Sequence, residues 1–366
     1  MVTEYDQSGA RRTTAGTANE PLGNDVAEPL DPSLIMQIGM GFRPAKTLLS
    51  AVELDLFTLL GSGELTGPSI AERLGLRSRA VYDFLDGLVA LRLLERDGQG
   101  ETGRYRNTPE TALFLDRNSP GYLGGRLEMA NARSYGFWGG LTDALRTGRP
   151  QNESKDTGQS LFVELSRDPA RLDLFLRAMA GASRANFHAL AAKFDFSRYQ
   201  TVCDVGGATG ELSIILAQRY PHLQCITFDL PVVEPIAIRA IEQANLSHRV
   251  RAVSGDFFAD PLSPADVITM GMILHDWNLE RKQQLITAAY KALPRGGALI
   301  VIENLIDDDR RENVAGLMMS LQMLIEFGDG FDYTGADFQS WCTDVGFESV
   351  EVLALGGSAS AAIAYK

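Results

Sequence analysis

Residues 201–210 read TVCDVGGATG, and the chain continues ELSIILAQRY over 211–220. Val202 and Val205 mark a short β-branched strand, Gly206, Gly207 and Gly210 mark a turn, and a helix opens at Glu211. Such a turn needs glycine for two reasons. The chain must bend sharply, and the backbone must approach a ligand with no Cβ in the way. The helix start adds unpaired N–H groups and a field that favours a carboxylate or phosphate. By itself the loop suits a purely structural turn as well as a nucleotide-like cofactor.

The downstream sequence narrows that choice. Strand-like runs at 201–205, 224–228, 249–253, 266–270 and 298–303 alternate with helical runs near 211–219, 233–244, 279–292, 312–327 and 335–344, and two more strands follow near 349–354 and 360–365. The alternation predicts a parallel, doubly wound α/β sheet with an antiparallel hairpin at its end. Ligands of such sheets sit at the carboxyl ends of the strands. Those ends carry Asp229 in FDLP, Asp256 and Phe257 in GDFF, His275 and Asp276 in LHDW, and Glu303 in IENLI. A carboxylate at Asp229 suits a ribose diol. Asp256 suits an exocyclic amine and Phe257 a purine face. A histidine among carboxylates suits proton transfer.

Upstream of the turn the pattern is different. Residues 1–30 are rich in Gly, Thr, Ala, Asn and charge, without periodicity, and read as a disordered arm. The next helical run is apolar on too many sides for an exposed helix (Leu34, Ile35, Met36, Ile38, Met40), so a partner chain is expected to cover it. A helix-turn-helix and a Gly-tipped hairpin follow, the pattern of a winged helix. Its second helix carries Asp83 and Asp86, which oppose phosphate binding, so the unit reads as a scaffold and not a DNA reader. Residues 108–195 read as helical, with a loop marked by Pro150, Asn152 and Gly158.

The 366 residues carry a net charge of −13, which repels nucleic acid. No run of about 18 apolar residues is present, so no membrane span is expected. The N-terminus lacks the apolar core of a secretory signal, and a cytoplasmic protein is expected. Cys203, Cys225 and Cys342 read as small buried filler in a reducing compartment.

Taken together, DVGGATG, FDLP, GDFF, LHDW and the Glu303 strand resemble the small-molecule O-methyltransferases related to plant caffeate and hydroxyindole O-methyltransferases, whose bacterial relatives act in natural-product pathways. The resemblance implies a Rossmann-like, seven-stranded class I methyltransferase sheet over 196–366 and a mostly helical winged-helix dimerisation domain over 31–115. Between them it implies a helical region over 116–195 lining the substrate site. It further implies a homodimer, S-adenosyl-L-methionine as cofactor with S-adenosyl-L-homocysteine as product, and no metal. Carried over by position, Gly206 would approach the methionine end of the cofactor and Ser183, in MAGASRANF, its carboxylate. Asp229 would bind the ribose hydroxyls, and Asp256 and Phe257 the adenine.

His275 matches the family's general base. A phenol has a pKa of about 10 and is a poor nucleophile at neutral pH, and a neutral imidazole in hydrogen-bond reach can take its proton as the methyl moves. Glu303 and Asp332, the latter in GFDYTGADF, are the candidate orienters of the ring. Asp332 stands where relatives usually carry glutamate. Shorter by roughly 1.5 Å, it is expected to reach His275 through water or to leave Glu303 to act alone. Gly271 stands where relatives often place Lys or Arg, which removes one expected cofactor contact. A small aromatic acceptor would lie between the helical region and the sheet, among Met129, Asn131, Trp138, Phe162, Met179, Met272, Met319, Met323 and Phe327. Methionine and aromatic side chains suit a flat aromatic molecule, and equally an ordinary core.

Two other readings remain open at this point. One is a C-methyltransferase on the same fold, acting on a 2-oxo acid or an activated aromatic carbon. The oxo-acid relatives hold a metal with several histidines, whereas of His188, His222, His248 and His275 only the last lies in the proposed centre. The other is a ligand-responsive winged-helix regulator, which the acidic balance opposes.

Overall fold

The structure is a computed structural model that describes residues 30–158 and 161–366; apart from Leu30, the arm read over 1–30 lies outside the described residues. The chain divides into two compact units, one up to Gly124 and one from Gly125 onward. The helical region read over 116–195 is therefore split. Its first residues belong to the N-terminal unit, and the remainder shares a unit with the large sheet.

The N-terminal unit contains helices α1 (Ser33–Gly39), α2 (Phe42–Glu53), α3 (Leu56–Leu59), α4 (Gly67–Leu74), α5 (Ser78–Ala90) and α6 (Pro109–Phe114). Strands β1 (Leu65–Thr66), β2 (Leu94–Asp97) and β3 (Arg104–Asn107) form a small antiparallel sheet in the order β1-β3-β2. Local signals set the boundaries. The Thr66 hydroxyl caps α4 by accepting from the Ser69 N–H, and Gly75 ends it in the left-handed region. Thr108 and Thr111 form a capping box at α6. This is the winged-helix arrangement, and Asp86 has a structural task within it. Its carboxylate accepts from the buried Tyr105 hydroxyl at 2.8 Å and from Arg96 at 2.5 Å, tying α5 to the hairpin. No residue of α1 is buried, and Leu34, Ile35, Met36 and Ile38 stay more than half exposed.

The second unit starts with short helices, α7 (Gly124–Met129), α8 (Tyr135–Phe137), α9 (Leu141–Thr147) and α10 (Leu161–Ser166), and a π-helical turn at Ala130–Ser134. The long helix α11 (Pro169–Lys193) leads into the sheet. Its strands are β4 (Thr201–Val205), β5 (Gln224–Asp229), β6 (Val250–Ser254), β7 (Val267–Gly271), β8 (Ala298–Glu303), β9 (Ser349–Gly356) and β10 (Ala359–Tyr365). Helices α12 (Glu211–Arg219), α13 (Glu234–Gln243), α14 (Leu279–Ala292), α15 (Val314–Phe327) and α16 (Gly335–Val345) connect them.

The strand order is β6-β5-β4-β7-β8-β10-β9, parallel except for β10, which runs antiparallel to both of its neighbours. Helices cover both faces, so strands must be apolar on both sides. Every residue of β8, ALIVIE, is buried accordingly. In β4, Val202 enters one core layer while Cys203 and Val205 enter the other. All three cysteines are buried and free. Among the described residues no helix is long and apolar enough to cross a membrane. Strand order reverses at β4, between β5 and β7, and the carboxyl ends there hold the residues that matter next.

Candidate active site

The glycine turn is held tightly from below. Gly206 adopts φ 70°, and its N–H donates to the Phe228 carbonyl at 2.8 Å. A Cβ at Gly206 would stand 2.2 Å from Ile273 Cδ1, and one at Gly207 would stand 2.1 Å from Thr227 Oγ1, so a side chain at either place would force its neighbours to shift, and at Gly206 would also strain the backbone. Beneath the turn, the buried Asp204 accepts from the Thr269 hydroxyl at 2.6 Å. Burial pushes its carboxyl up to about 7. Asp229, at the end of β5, accepts from the Ala208 N–H at 2.8 Å and the Leu230 N–H at 2.7 Å. Burial raises its pKa against the pull of these two donors. The hydroxyls of Thr209, Ser213 and Thr227 are buried without a hydrogen-bond partner. Unpartnered polar atoms around a side-chain-free turn, with a carboxylate fixed beside it, fit a polar nucleoside-bearing cofactor.

The remaining cofactor candidates surround this cradle. Ser183 is half-buried on α11, and its neighbour Arg184 reaches Glu211, the first residue of α12, at 2.7 Å. That ion pair brings the Ser183 turn beside the helix that the glycine turn opens. Phe257 is half-buried and stands edge-on to Phe258 and Trp277, at ring separations of 4.8 and 6.1 Å. Asp256 is exposed and caps its own loop by accepting from the Phe258 N–H at 2.9 Å. At Gly271 a Cβ would meet the Phe187 ring at 3.3 Å, so a longer side chain would press on α11.

His275 lies in a short 3-10 turn after β7 and is almost fully buried, as are Asp276, Glu303 and Asp332. Its Nδ1 stands 3.2 Å from Asp332 Oδ1, and its Nε2 stands 3.3 Å from Asp276 Oδ1. Glu303 Oε1 accepts from the His275 backbone N–H at 3.1 Å and makes no hydrogen bond to the ring. Burial alone would lower the imidazole pKa. The Asp332 hydrogen bond and the charges of Asp276, Glu303 and Asp332 outweigh it and raise the value to about 9.

This arrangement corrects the expectation for the two orienters. The shorter Asp332 meets the ring directly, and Glu303 holds the main chain. The main chain itself makes up the missing length. A Cβ at Gly330 would stand 2.7 Å from the Asp276 carbonyl oxygen and 2.8 Å from that of His275. Lacking one, the segment that leads to Asp332 packs directly on the histidine backbone. The Asp332 N–H, bonded to the Ser320 hydroxyl at 3.1 Å, then fixes its position. Just before the histidine turn, Met272 adopts φ 56°, an unfavourable backbone for a residue with a side chain.

Helix α15 carries three of the nine proposed acceptor residues and touches two more, Phe162 and Trp138. Met323 is buried, Met319 and Phe327 are half-buried, and the Phe162 and Phe327 rings stack at 6.4 Å. Trp138 Nε1 donates to Gln322 Oε1 at 2.5 Å. Met129, Asn131 and Met272 are half-buried, the first two at the π-helical turn, while Met179 is exposed on α11. The sequence reading missed the polar frame behind these residues. Glu326 accepts from Arg133 at 2.9 Å, from Gln322 at 2.9 Å and from Asn152 at 2.8 Å, and Arg133 also grips Glu153 through two contacts of 2.8 Å. Spacing could reveal Gln322 and Glu326 as an i, i+4 pair; their partners lie too far away in sequence to be inferred.

Two family models match the chain: an O-methyltransferase domain over residues 138–348 and an O-methyltransferase dimerisation domain over residues 36–117. The tetracenomycin polyketide synthesis 8-O-methyl transferase of Streptomyces glaucescens is 41% identical over 335 residues, covering 92% of this chain and 97% of that protein. The 3-hydroxy-5-methyl-1-naphthoate 3-O-methyltransferase of Streptomyces sahachiroi is 34% identical, covering 88% and 91%. Among solved structures, human N-acetylserotonin methyltransferase in complex with S-adenosylmethionine superposes with a TM-score of 0.83 at 29% identity, covering 94% of this chain and 99% of that one. The glycine cradle, the buried histidine and these relationships agree: the chain belongs to the O-methyltransferase family.

Proposed function

We propose that this enzyme transfers a methyl group from S-adenosylmethionine to a phenolic hydroxyl of an aromatic natural product of the polyketide or naphthoate type, with His275 as general base. The observation that carries the reading is the buried imidazole, with Asp332 at 3.2 Å on one nitrogen, beside a nucleoside-fitting glycine turn. The named relatives that act on tetracenomycin intermediates and on a hydroxynaphthoate support the substrate class.

When bound, the cofactor supplies a methyl group already activated on a sulfonium. The protein's own work is then positioning and proton handling. Gly206 and Gly207 let the backbone close on the cofactor, Asp229 orients its ribose, Ser183 meets its carboxylate, and Asp256 and Phe257 frame its adenine. Asp332 holds a proton on Nδ1, so Nε2, which stands 3.3 Å from Asp276 Oδ1, is the nitrogen left to exchange a proton with the acceptor hydroxyl. In the cofactor-free protein the imidazole, raised to about 9, carries a proton at neutral pH, so it acts as base only once that proton has left, and turnover is expected to climb as pH rises towards 9. Trp138, Phe162, Met319, Met323 and Phe327 offer apolar and aromatic surface to a flat acceptor.

We further infer a homodimer that buries the apolar side chains of α1, consistent with the dimerisation-domain match. The reaction is proposed to need no metal. The test is transfer of labelled methyl from the cofactor to a panel of hydroxynaphthoates and tetracyclic phenols, with and without EDTA. Product formation on a hydroxyl, undiminished by EDTA, supports the reading. Methylation at carbon, or a strict metal requirement, would overturn it.

A further inference from the structure

Lys282 is, among the described residues, the only lysine or arginine in the fully buried class, at 0% exposure. It sits on the inward stripe of α14 with Leu285, Ile286 and Ala289, spacings of three, four and seven residues that otherwise carry apolar side chains. Lysines that bury only their stems keep the ammonium in water. Here the ammonium is inside as well. Nζ donates to the Trp277 carbonyl, two residues past His275. It also stands 3.5 Å from the centroid of Phe331 and 5.7 Å from that of Tyr333, the two residues that flank Asp332. One buried cation therefore touches both chain segments that meet at the His275–Asp332 contact. Around it lie more acids than the imidazole alone can balance: Asp276 from the histidine turn, Glu303 from β8, and Asp329 and Asp332 from the loop after α15.

We propose that Lys282 is a positioning residue for methyl transfer. Its ammonium pins the Trp277 and Phe331 segments together and supplies the counter-charge to the carboxylates packed around His275. Burial is costly for a lone ammonium and is offset here by the carbonyl, the aromatic faces and the surrounding acids. Burial lowers its pKa to about 8 against the pull of Glu303, Asp332, Asp276 and Asp329.

The inference rests on the reading of His275 as base, and the two can be tested apart. Lys282→Met keeps the length and removes the charge, and Lys282→Arg keeps the charge. The first readout is the imidazole titration of isotopically labelled, cofactor-free protein by NMR, with His275→Asn to assign the signal and His188, His222 and His248 as internal references. Loss of a neighbouring cation favours the imidazolium. The His275 midpoint is therefore expected to rise by about half a pH unit or more in Lys282→Met, with the other three unmoved and Lys282→Arg close to wild type. The second readout is kcat against pH. Turnover of Lys282→Met at pH 7.5 is expected to fall by about threefold or more, as a half-unit shift of the base requires, and to recover towards higher pH, with KM for the cofactor unchanged. An unmoved or lowered His275 midpoint, or an equal shift in both variants, would make Lys282 a packing residue and overturn the proposal. Should Lys282→Met fail to fold, Lys282→Gln removes the charge with a polar side chain in its place, and an unchanged His275 titration there overturns the proposal equally. Failure of the base assignment would show separately, as wild-type turnover in His275→Asn.

Discussion

Asp332 Oδ1 stands 3.2 Å from His275 Nδ1, and the contact depends on a glycine two residues earlier. Replacing Asp332 with asparagine keeps the shape and removes the charge. The asparagine variant is expected to lose about 10²–10⁴-fold in kcat through the wrong tautomer and a less stable imidazolium. Calorimetric titration with S-adenosylhomocysteine should show cofactor affinity within about twofold of wild type. Matching losses of affinity and turnover would mean that Asp332 shapes the cofactor site instead.

Gly330→Ala tests the main-chain approach directly. The added Cβ would lie 2.7–2.8 Å from two carbonyl oxygens, so the loop must retreat. The expected cost is about 1–3 kcal/mol in unfolding free energy, as for an overpacked core site. Turnover should fall more steeply than cofactor affinity, because the retreat carries Asp332 away from the ring. Unchanged stability in denaturant titration would show that the loop has room to spare.

Asp229→Ala should act on the cofactor first. The variant removes a carboxylate held by the Ala208 and Leu230 N–H groups. Loss of charge-assisted hydrogen bonds to a ribose predicts a dissociation constant for S-adenosylhomocysteine raised by about 10–100-fold. At saturating cofactor, kcat should return to near the wild-type value. A large residual kcat defect would place Asp229 in the chemistry.

Proton linkage gives the cofactor-free protein a characteristic pH response. His275 has a folded pKa of about 9 against an ordinary 6.5, so its stabilising effect is complete below 6.5 and is lost as pH rises through 9. Asp204 and Asp276, raised from 3.8 to about 7, act in the same sense at lower pH. Lys282, lowered from 10.5 to about 8, acts in the opposite sense above 8. Between pH 7 and 8 the slope therefore belongs chiefly to His275. Calorimetry should show a melting temperature that falls by about 3 °C across that window, and His275→Asn should flatten it. A level or rising wild-type curve would show that the histidine is not held charged.

Much of this architecture is legible in the sequence, for identifiable reasons. Strands β4 to β8 announce themselves because a sheet covered on both faces demands continuous apolar runs, and ALIVIE can hardly be anything else. The capping residues Thr66 and Thr108 mark helix starts by local chemistry alone. His275, Glu303 and Asp332 could be named because strand ends and short motifs hold them. Their division of labour could not, because it depends on how closely the segment at Gly330 approaches the His275 backbone, a tertiary distance between residues 55 positions apart. Lys282 was readable in principle, as a charge on an apolar stripe. Arg133 and Glu326 were not, since 193 residues separate two partners that each look like ordinary surface charges.

The placement of β10 bears on how the protein can be made. This strand comes after β9 in sequence yet lies between β8 and β9 in the sheet. A nascent chain that has produced both of those strands still lacks the piece that joins them. Until residues 359–365 emerge from the ribosome, β8 offers a bare edge, apolar from Ala298 to Ile302, to whatever it meets. Chains cut short before Ala359 should therefore collect in inclusion bodies and bind chaperones, even though every residue of the glycine cradle and of the histidine centre has already been synthesised.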